Sequence, residues 1–407
     1  RISNLSFSAS RLMRAALLTW DFPPVPTGLG RAAAEIAYGL VSQGADVTVF
    51  TLDRTGRETA ENGRLTIIGA GFEDDPALTS LRKRAMLGHL AAPRACARAL
   101  TQEESVRPFD IVETTNWYAP GALYRGSAPL IVRNSTPAID AFDRSASLRD
   151  RTDLRFAHWL EAHTARRAAA LISNAPHHRT KIESWYDLQH PDHSVIPLSL
   201  EPEKIERGRQ APPPKREGSF RFVFVGRAER RKGFDDMLTA FADLAQTDDV
   251  QLTTIGLAKG DLAKRAQALG IDPSCLSRIA DLGRADEPEL LDALEGCDAV
   301  LAPSRYESYG IVYREAAAFG RPLIACAEDP SARDLITTHG IGVLASACSA
   351  EAIAEAARRV MTDDRAAEEM RRRGLQLAER LHRETLGAET LEVYERAMGR
   401  TAFARAA

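Results

Sequence analysis

At 407 residues, with 44% hydrophobic and 27% charged side chains, the chain is too long for one ordinary core and has a globular composition suited to two domains. Its 53 Lys and Arg against 56 Asp and Glu leave a formal charge of −3, which argues against wholesale nucleic-acid binding; no apolar run reaches the roughly eighteen residues of a membrane-spanning helix. Five scattered cysteines (Cys96, Cys275, Cys297, Cys326, Cys348), with no CxxC and no Cys/His cluster, read as reduced thiols of a cytoplasmic protein.

Residues 1–12 lack the apolar stretch of a signal peptide, and Met13 is expected as the biological start. From there, apolar runs of strand length alternate with amphipathic stretches of helical period, the pattern of parallel α/β architecture. Strands are expected at 14–20, 46–51, 65–69, 111–113, 129–133, 170–173 and 194–197, then at 220–225, 251–255, 278–281, 299–302, 322–325 and 342–344. The charged stretch 201–219 holds three consecutive prolines and reads as a linker between domains at 13–200 and 220–383. A final helix, within 384–407, is expected to pack back on the first domain. The expected architecture is two Rossmann-like, doubly wound parallel sheets facing across a cleft, with ligands outside the carboxyl ends of the strands.

Three stretches at such carboxyl ends carry chemistry. After the first strand, Gly28 and Gly30 open a helix at 31–41; small residues there let backbone amides approach an anion or a sugar, although Ala33 stands where a dinucleotide fingerprint has its third glycine. After the strand at 220–225, Gly226 and Arg227 precede Lys232 and Gly233, placing a planar guanidinium and a compact ammonium on one loop. After the strand at 299–302, Glu307 and Glu315 flank a helix start near Gly310, so that the amides of Tyr309, Gly310, Ile311 and Val312 are candidate donors to a ligand. His158, His163, His177, His178, His190 and His193 have no carboxylate or cysteine partner at a metal-ligating spacing.

These motifs, VGRAERRKG at 225–233, PSRYESYGIVYREAAAFGRPLIA at 303–325 and LGRADEPELLDALEGCDAVLAPS at 282–304, with the weaker glycine loop at 28–30, resemble the retaining glycosyltransferases of family 4, which have the GT-B fold. The resemblance implies that Arg227 and Lys232 neutralise the donor diphosphate and Glu315 binds the ribose. It implies further that Glu307 faces the donor sugar, the amides of 309–312 hold sugar and phosphate, and the segment around Arg284 borders the base. A UDP- or GDP-sugar is the donor it implies, with no metal and no cofactor. The sequence departs from the family at Ser135, where many relatives carry histidine, at Ser308, often glycine, and at 327–336, which lacks a Gly-Gly-x-Pro-Glu pattern.

The resulting expectation is a hexosyltransferase that moves a sugar from a nucleoside diphosphate to a glycan, glycolipid or small-molecule hydroxyl, with the anomeric configuration kept. The acceptor surface is expected from the loops at 114–122 and 134–144, with Asn116, Trp117 and Ser135 as contacts; Trp117 and Tyr118 suit stacking on a sugar ring or a packed corner. The basic stretch 82–98, with apolar residues between its charges, suits a solvated helix or peripheral contact with an anionic inner-membrane surface or a lipid-linked acceptor. A sugar-nucleotide epimerase of the same fold and a degenerate transferase acting as a binding partner are the alternatives.

Overall fold

The computed structural model describes residues 12–25, 27–141, 147–214 and 218–406. Residues 1–11, 26, 142–146, 215–217 and 407, which include parts of the loop at 134–144 and of the stretch at 201–219, lie outside the described residues. The chain divides into two compact units, one running to Ser199 and resuming at Arg383, the other spanning Leu200–His382.

The first unit comprises β1 (Arg14–Thr19), α1 (Gly28–Ser42), β2 (Asp46–Thr51), β3 (Thr55–Ala60), β4 (Leu65–Ala70), α2 (Pro76–Arg82), α3 (Ala91–Val106), β5 (Ile111–Thr115), β6 (Leu130–Arg133), α4 (Leu148–Arg167), β7 (Ala170–Ser173), α5 (Pro176–Tyr186) and β8 (His193–Val195). Its strand order is β3-β4-β2-β1-β5-β6-β7-β8, parallel except where β3 returns antiparallel on β4. The second unit comprises α6 (Pro202–Gln210), β9 (Phe220–Val225), α7 (Phe234–Thr247), β10 (Val250–Ile255), α8 (Asp261–Ala268), α9 (Pro273–Leu276), β11 (Ile279–Asp281), α10 (Glu287–Gly296), β12 (Ala299–Leu301), α11 (Ile311–Ala318), β13 (Leu323–Cys326), α12 (Pro330–His339), β14 (Gly342–Ala345), α13 (Ala350–Thr362) and α14 (Asp364–Ala378). Its order is β11-β10-β9-β12-β13-β14, all parallel. Both sheets reverse direction of winding beside their first strand, between β1 and β5 and between β9 and β12. Such a reversal leaves a crevice outside the carboxyl ends of the strands.

The central strands are apolar because helices cover both faces of each sheet; β1, β5, β6 and β7 are buried along their whole length. In the second unit, apolar groups line both faces: Val223, Val300 and Leu323 on one, Phe222, Phe224 and Ile324 on the other.

Two expectations need correction. Strand β3 escapes the hydrophobic pattern because its residues, TGRETA, are almost all exposed on an antiparallel edge. The stretch read as a linker is in part α6, which begins with Pro202 at its first turn and buries Lys204, Ile205 and Gly208 in the second unit. A Cβ on Gly208 would sit 2.1 Å from the carbonyl oxygen of Ala318 in α11, so the two helices touch through backbone. Charge and three consecutive prolines marked this stretch as a linker, yet its buried lysine is paired.

The last helix, α15 (Arg383–Ala406), belongs to the first unit. It buries Leu386, Thr390, Val393, Tyr394 and Ala397 along one face. Tyr394 donates its hydroxyl to Glu113 Oε2 (2.9 Å), and Arg133, paired with Glu113 (2.7 Å), donates to the Thr390 hydroxyl (2.9 Å). At its other end, Arg383 pairs with Glu35 of α1 (2.5 Å). Between these ties the helix meets α1 so closely that a Cβ on Gly387 would lie 2.1 Å from the carbonyl oxygen of Gly39. Gly387→Ala is therefore expected to destabilise the first unit by about 1–3 kcal/mol through overpacking. Gly399→Ala on the same helix, where a Cβ meets nothing within 4 Å, should be neutral or slightly stabilising. Urea unfolding of the two variants checks the contrast, and equal midpoints count against the packing account.

Candidate active site

In the second unit the loops after β9 and β12 close on each other. Gly233 makes this possible: it has φ 66°, and a Cβ there would lie 2.1 Å from the Pro303 carbonyl oxygen, so only glycine suits both the conformation and the space. The Arg305 amide donates to the Arg231 carbonyl (2.8 Å) and the Arg231 guanidinium to the Tyr306 carbonyl (3.0 Å).

At the centre stands the Glu307 carboxylate. Its Oε1 accepts from Lys232 Nζ (2.6 Å) and the Ser304 hydroxyl (2.8 Å), and Arg231 Nη1 lies 3.2 Å away. Burial opposes its ionisation, but the Lys232 and Arg231 cations and these hydrogen bonds outweigh burial and hold its pKa below the ordinary value. The Glu307 amide donates to Asp329 Oδ1 (3.0 Å). Asp329 also caps α12 through the Ser331 amide (3.1 Å) and accepts from the Tyr313 hydroxyl (2.6 Å). Burial raises its pKa to about 6.

Helix α11 starts after Gly310, which has φ 73°. Its first intrahelical bond comes from the Tyr313 amide to the Gly310 carbonyl (3.1 Å), so the amides of Ile311 and Val312 precede the helical ladder. Arg314, buried, bonds the Tyr309 and Gly310 carbonyls and lies over the Tyr309 ring (3.5 Å), bracing the turn from behind. The Tyr309 side chain is itself buried, so its amide is the part suited to a ligand. Glu315 is buried and accepts from Lys204 Nζ of α6 (2.5 Å). Lys204 also lies 2.9 Å from Glu287 and 3.3 Å from Glu201, and these carboxylates outweigh burial to raise its pKa. Arg227 is 71% exposed and pairs with Glu229 (2.8 Å), and Arg284 stands exposed two residues before the α10 cap Asp286.

In the first unit, Thr27 caps α1 by accepting from the Gly30 amide (2.9 Å). A Cβ on Gly30 would meet Asp21 Oδ1 and Thr27 Oγ1 at 3.1 Å, whereas one on Gly28 meets nothing within 4 Å. Across the winding reversal, the Trp20 indole donates to the Trp117 carbonyl (2.6 Å). Tyr118 packs edge-on to Trp20 and Trp117 and stacks on His89 (5.3 Å). Tyr118 and Ala119 hold φ of 50° and 44°, a region costly for residues with a Cβ. Glu161, fully buried on α4, secures this turn: it accepts from the Tyr118 amide (2.9 Å), the Ala138 amide (3.2 Å) and the Tyr186 hydroxyl (3.1 Å).

Asn116, expected as an acceptor contact, is corrected. It is fully buried and bonded on both sides, donating to the Ser135 carbonyl (3.1 Å) and Tyr186 hydroxyl (2.9 Å) and accepting from the Ser135 amide (2.7 Å) and hydroxyl (2.9 Å). It is a bracket that sets Ser135 in place. Trp117 is half-buried against Tyr118 in the aromatic cluster, a packed corner. Among the described residues, no group of three or more His, Cys, Asp or Glu side chains is placed to hold a metal ion.

Residues 27–199 match the family model of the glycosyl transferase 4-like domain, and residues 207–377 that of glycosyl transferases group 1. The chain belongs to the family 4 type of glycosyltransferase. It is 25% identical over 400 residues to a glycogen synthase of Mycobacterium tuberculosis, covering 94% of each chain. It is 31% identical over 177 residues to a phosphatidyl-myo-inositol mannosyltransferase of Mycobacterium leprae, covering 42% of this chain and 46% of the relative. The GT-B fold follows from solved structures. Sucrose-phosphate synthase from Thermosynechococcus elongatus superposes with a TM-score of 0.73 at 18% identity, over 95% of this chain and 99% of the other. Anabaena HepE, in complex with UDP and glucose, gives 0.66 at 18% identity, over 94% and 99%.

Against that family pattern, sequence reasoning missed Lys204, Asp329 and Glu161. An Asp-Pro pair announcing a helix start was the available signal for Asp329. A buried lysine inside a charged segment and an acid midway along a polar helix gave none.

Burial pushes the Glu161 carboxyl from 4.5 up to about 7, despite donors that favour its ionised form. The folded state thus holds this proton more tightly than the unfolded chain. Its contribution to stability is full below about pH 4.5 and is lost as pH rises through about 7. Relative to Glu161→Gln, the parent is expected to lose about 3 kcal/mol over that window. Urea unfolding across the pH range checks this; parallel profiles for parent and variant would contradict the shift.

Proposed function

We propose that the protein transfers a hexose from a nucleoside diphosphate sugar, UDP- or GDP-linked, to an acceptor hydroxyl with the anomeric configuration kept. The observation that carries this reading is Glu307 with Lys232 and Arg231 in ion-pair reach beside the first turn of α11, at the winding reversal of the second sheet. In this reading Lys232 and Arg227 take the diphosphate, with the amides of Tyr309, Gly310, Ile311 and Val312 beside them. Glu307 takes the donor sugar, Glu315 the ribose hydroxyls, and Arg284 borders the base. Gly28 and Gly30 give the donor close access to the α1 amides. Trp117 and Tyr118 offer ring faces to a sugar, lipid-linked or small-molecule acceptor, and Ser135 offers a hydroxyl. Support comes from the family and from relatives whose own names include glycogen synthase, HepE with UDP and glucose, and starch synthase IV with ADP and acarbose.

The barrier is the growth of oxocarbenium-like charge on the sugar and of negative charge on the leaving diphosphate. Preformed cations and amides stabilise the second without reorganising at the moment of reaction. They meet the phosphate charge themselves, so the reading calls for no metal and no cofactor. The leaving phosphate would take the acceptor proton on the same face of the sugar, which keeps the configuration without an enzymic nucleophile. A cytoplasmic site of action, where nucleotide sugars are at hand, completes the reading, with no role for nucleic acid.

Calorimetric titration with UDP and GDP tests the site. Arg227→Ala and Lys232→Ala are each expected to weaken nucleoside diphosphate binding by about 10- to 100-fold, the cost of losing one charge-assisted partner. Parent-like binding by both variants would overturn the assignment. Proton NMR of the product formed from an α-linked donor tests the stereochemistry. An α-linked product is expected, a β-linked one rejects retention, an epimerised donor selects the epimerase, and binding without turnover selects the degenerate partner.

A further inference from the structure

The transfer chemistry leaves unused a surface of the first unit made by α2, the 3-10 turn Leu87–Leu90 and α4. Four of the eight large apolar side chains exposed among the described residues fall there: Met86 at 42%, Leu87 at 47%, Leu148 at 79% and Trp159 at 52%. Polar bonds bring the two segments together: the Met86 amide donates to Asp153, and Arg149 donates to the Lys83 carbonyl (3.3 Å). Ring contacts extend the apolar ridge along α4, from His89 on Phe156 (6.4 Å) to Phe156 against Trp159 (5.5 Å) and Trp159 on His163 (5.3 Å).

Cations surround the ridge. Arg82 ends α2 and Lys83 and Arg84 follow it, and Arg149, Arg151 and Arg155 lie on the first two turns of α4, all six exposed. The two acids among them are engaged, Asp150 in the Ser147 capping box and Asp153 with the Met86 amide. Leu148 and Trp159 are eleven residues apart on one helix, so the ridge extends about 16 Å. Exposed apolar groups this close together mark a surface that meets another phase or partner. Within a collar of exposed cations, with an indole at its edge, they match the interfacial region of an anionic bilayer, where Trp and Arg are both favoured.

We propose that this patch seats the protein peripherally on an anionic lipid surface, with Met86, Leu87, Leu148 and Trp159 entering the headgroup layer and the six cations facing lipid phosphates. The proposal goes beyond the transfer reading and stands on the first unit alone. It fits charge better than a second copy would, since two such patches would bring like charges together.

Co-sedimentation of the full chain with vesicles tests it. Binding is expected to phosphatidylglycerol-containing vesicles, weak or none to phosphatidylcholine alone, and loss at high salt. Each cation near such a surface strengthens binding by about fivefold, so Arg82→Ala, Lys83→Ala and Arg84→Ala together should weaken it by about 100-fold. Leu148→Ser with Trp159→Ser should weaken it while leaving the salt dependence in place. Because these side chains are exposed, UDP or GDP binding and the thermal transition of both variants should match the parent, which separates a failed surface from a failed fold or donor site. Absence of binding to anionic vesicles, equal binding to neutral ones, or parent-like binding by both variants overturns the proposal. So does a dimer that the Leu148→Ser, Trp159→Ser variant dissolves.

Discussion

The Glu307 carboxylate holds together two loops that the chain makes 75 residues apart. One loop supplies Lys232 and Arg231; the other supplies the carboxylate, Ser304 and the turn into α11. Neither loop has a regular hydrogen-bond ladder to fix it, and the approach enforced at Gly233 leaves their backbones in contact. Without an anion at their junction, the cations of the first loop would repel one another across that contact. With Glu307 there, the junction forms before any ligand arrives, and Asp329 fixes the backbone from which the carboxylate projects. Preorganisation of this kind keeps the cost of ordering the site within folding rather than within binding.

The first unit solves a similar problem with a different group. Its winding reversal is crossed by the Trp20 to Trp117 bond, and the loop beyond it is strained at Tyr118 and Ala119. Glu161 accepts from backbone and hydroxyl donors that hold this strained loop, but among the described residues no cation bonds to it, which is why its carboxyl is pushed up toward neutrality while that of Glu307 is held down. Two buried glutamates, each organising a loop, are thus set to opposite sides of their ordinary pKa by whether cations share the site.

What was legible in the sequence follows the same division. Strands such as β1, β6 and β9 announce themselves because burial on both faces demands continuous apolar runs, and the loops after β9 and β12 because cations, acids and glycines recur at strand ends. β3 was hidden because an exposed edge strand has no face to bury. Helix α6 was hidden because Lys204 counts as polar in any hydropathy pattern, and only three carboxylates distant in sequence, or one turn away, make its burial possible. Asn116 was misjudged for the converse reason: a polar residue beside aromatic ones on a loop looks available until its partners, Ser135 and Tyr186, are seen to use every atom it has.

The two glutamates of the 303–325 stretch end up in matching but unequal circumstances. Each is bound to a lysine from another element, Glu307 to Lys232 and Glu315 to Lys204. The Lys204 pair is almost wholly buried, and removing either partner of such a pair costs about 3–5 kcal/mol. Glu315 can therefore serve a ligand only from a fixed position, with its lysine still attached, which suits recognition of neutral hydroxyls that ask for an acceptor and bring no charge. The Lys232 pair keeps more solvent contact, and its lysine sits on a loop whose Arg231 also reaches Glu307. An incoming phosphate can share Lys232 with Glu307 at modest cost, because Arg231 remains to neutralise the carboxylate. The difference in burial between two otherwise similar ion pairs thus suits the proposed reading, with the uncharged end of a donor at Glu315 and the charged end at Lys232.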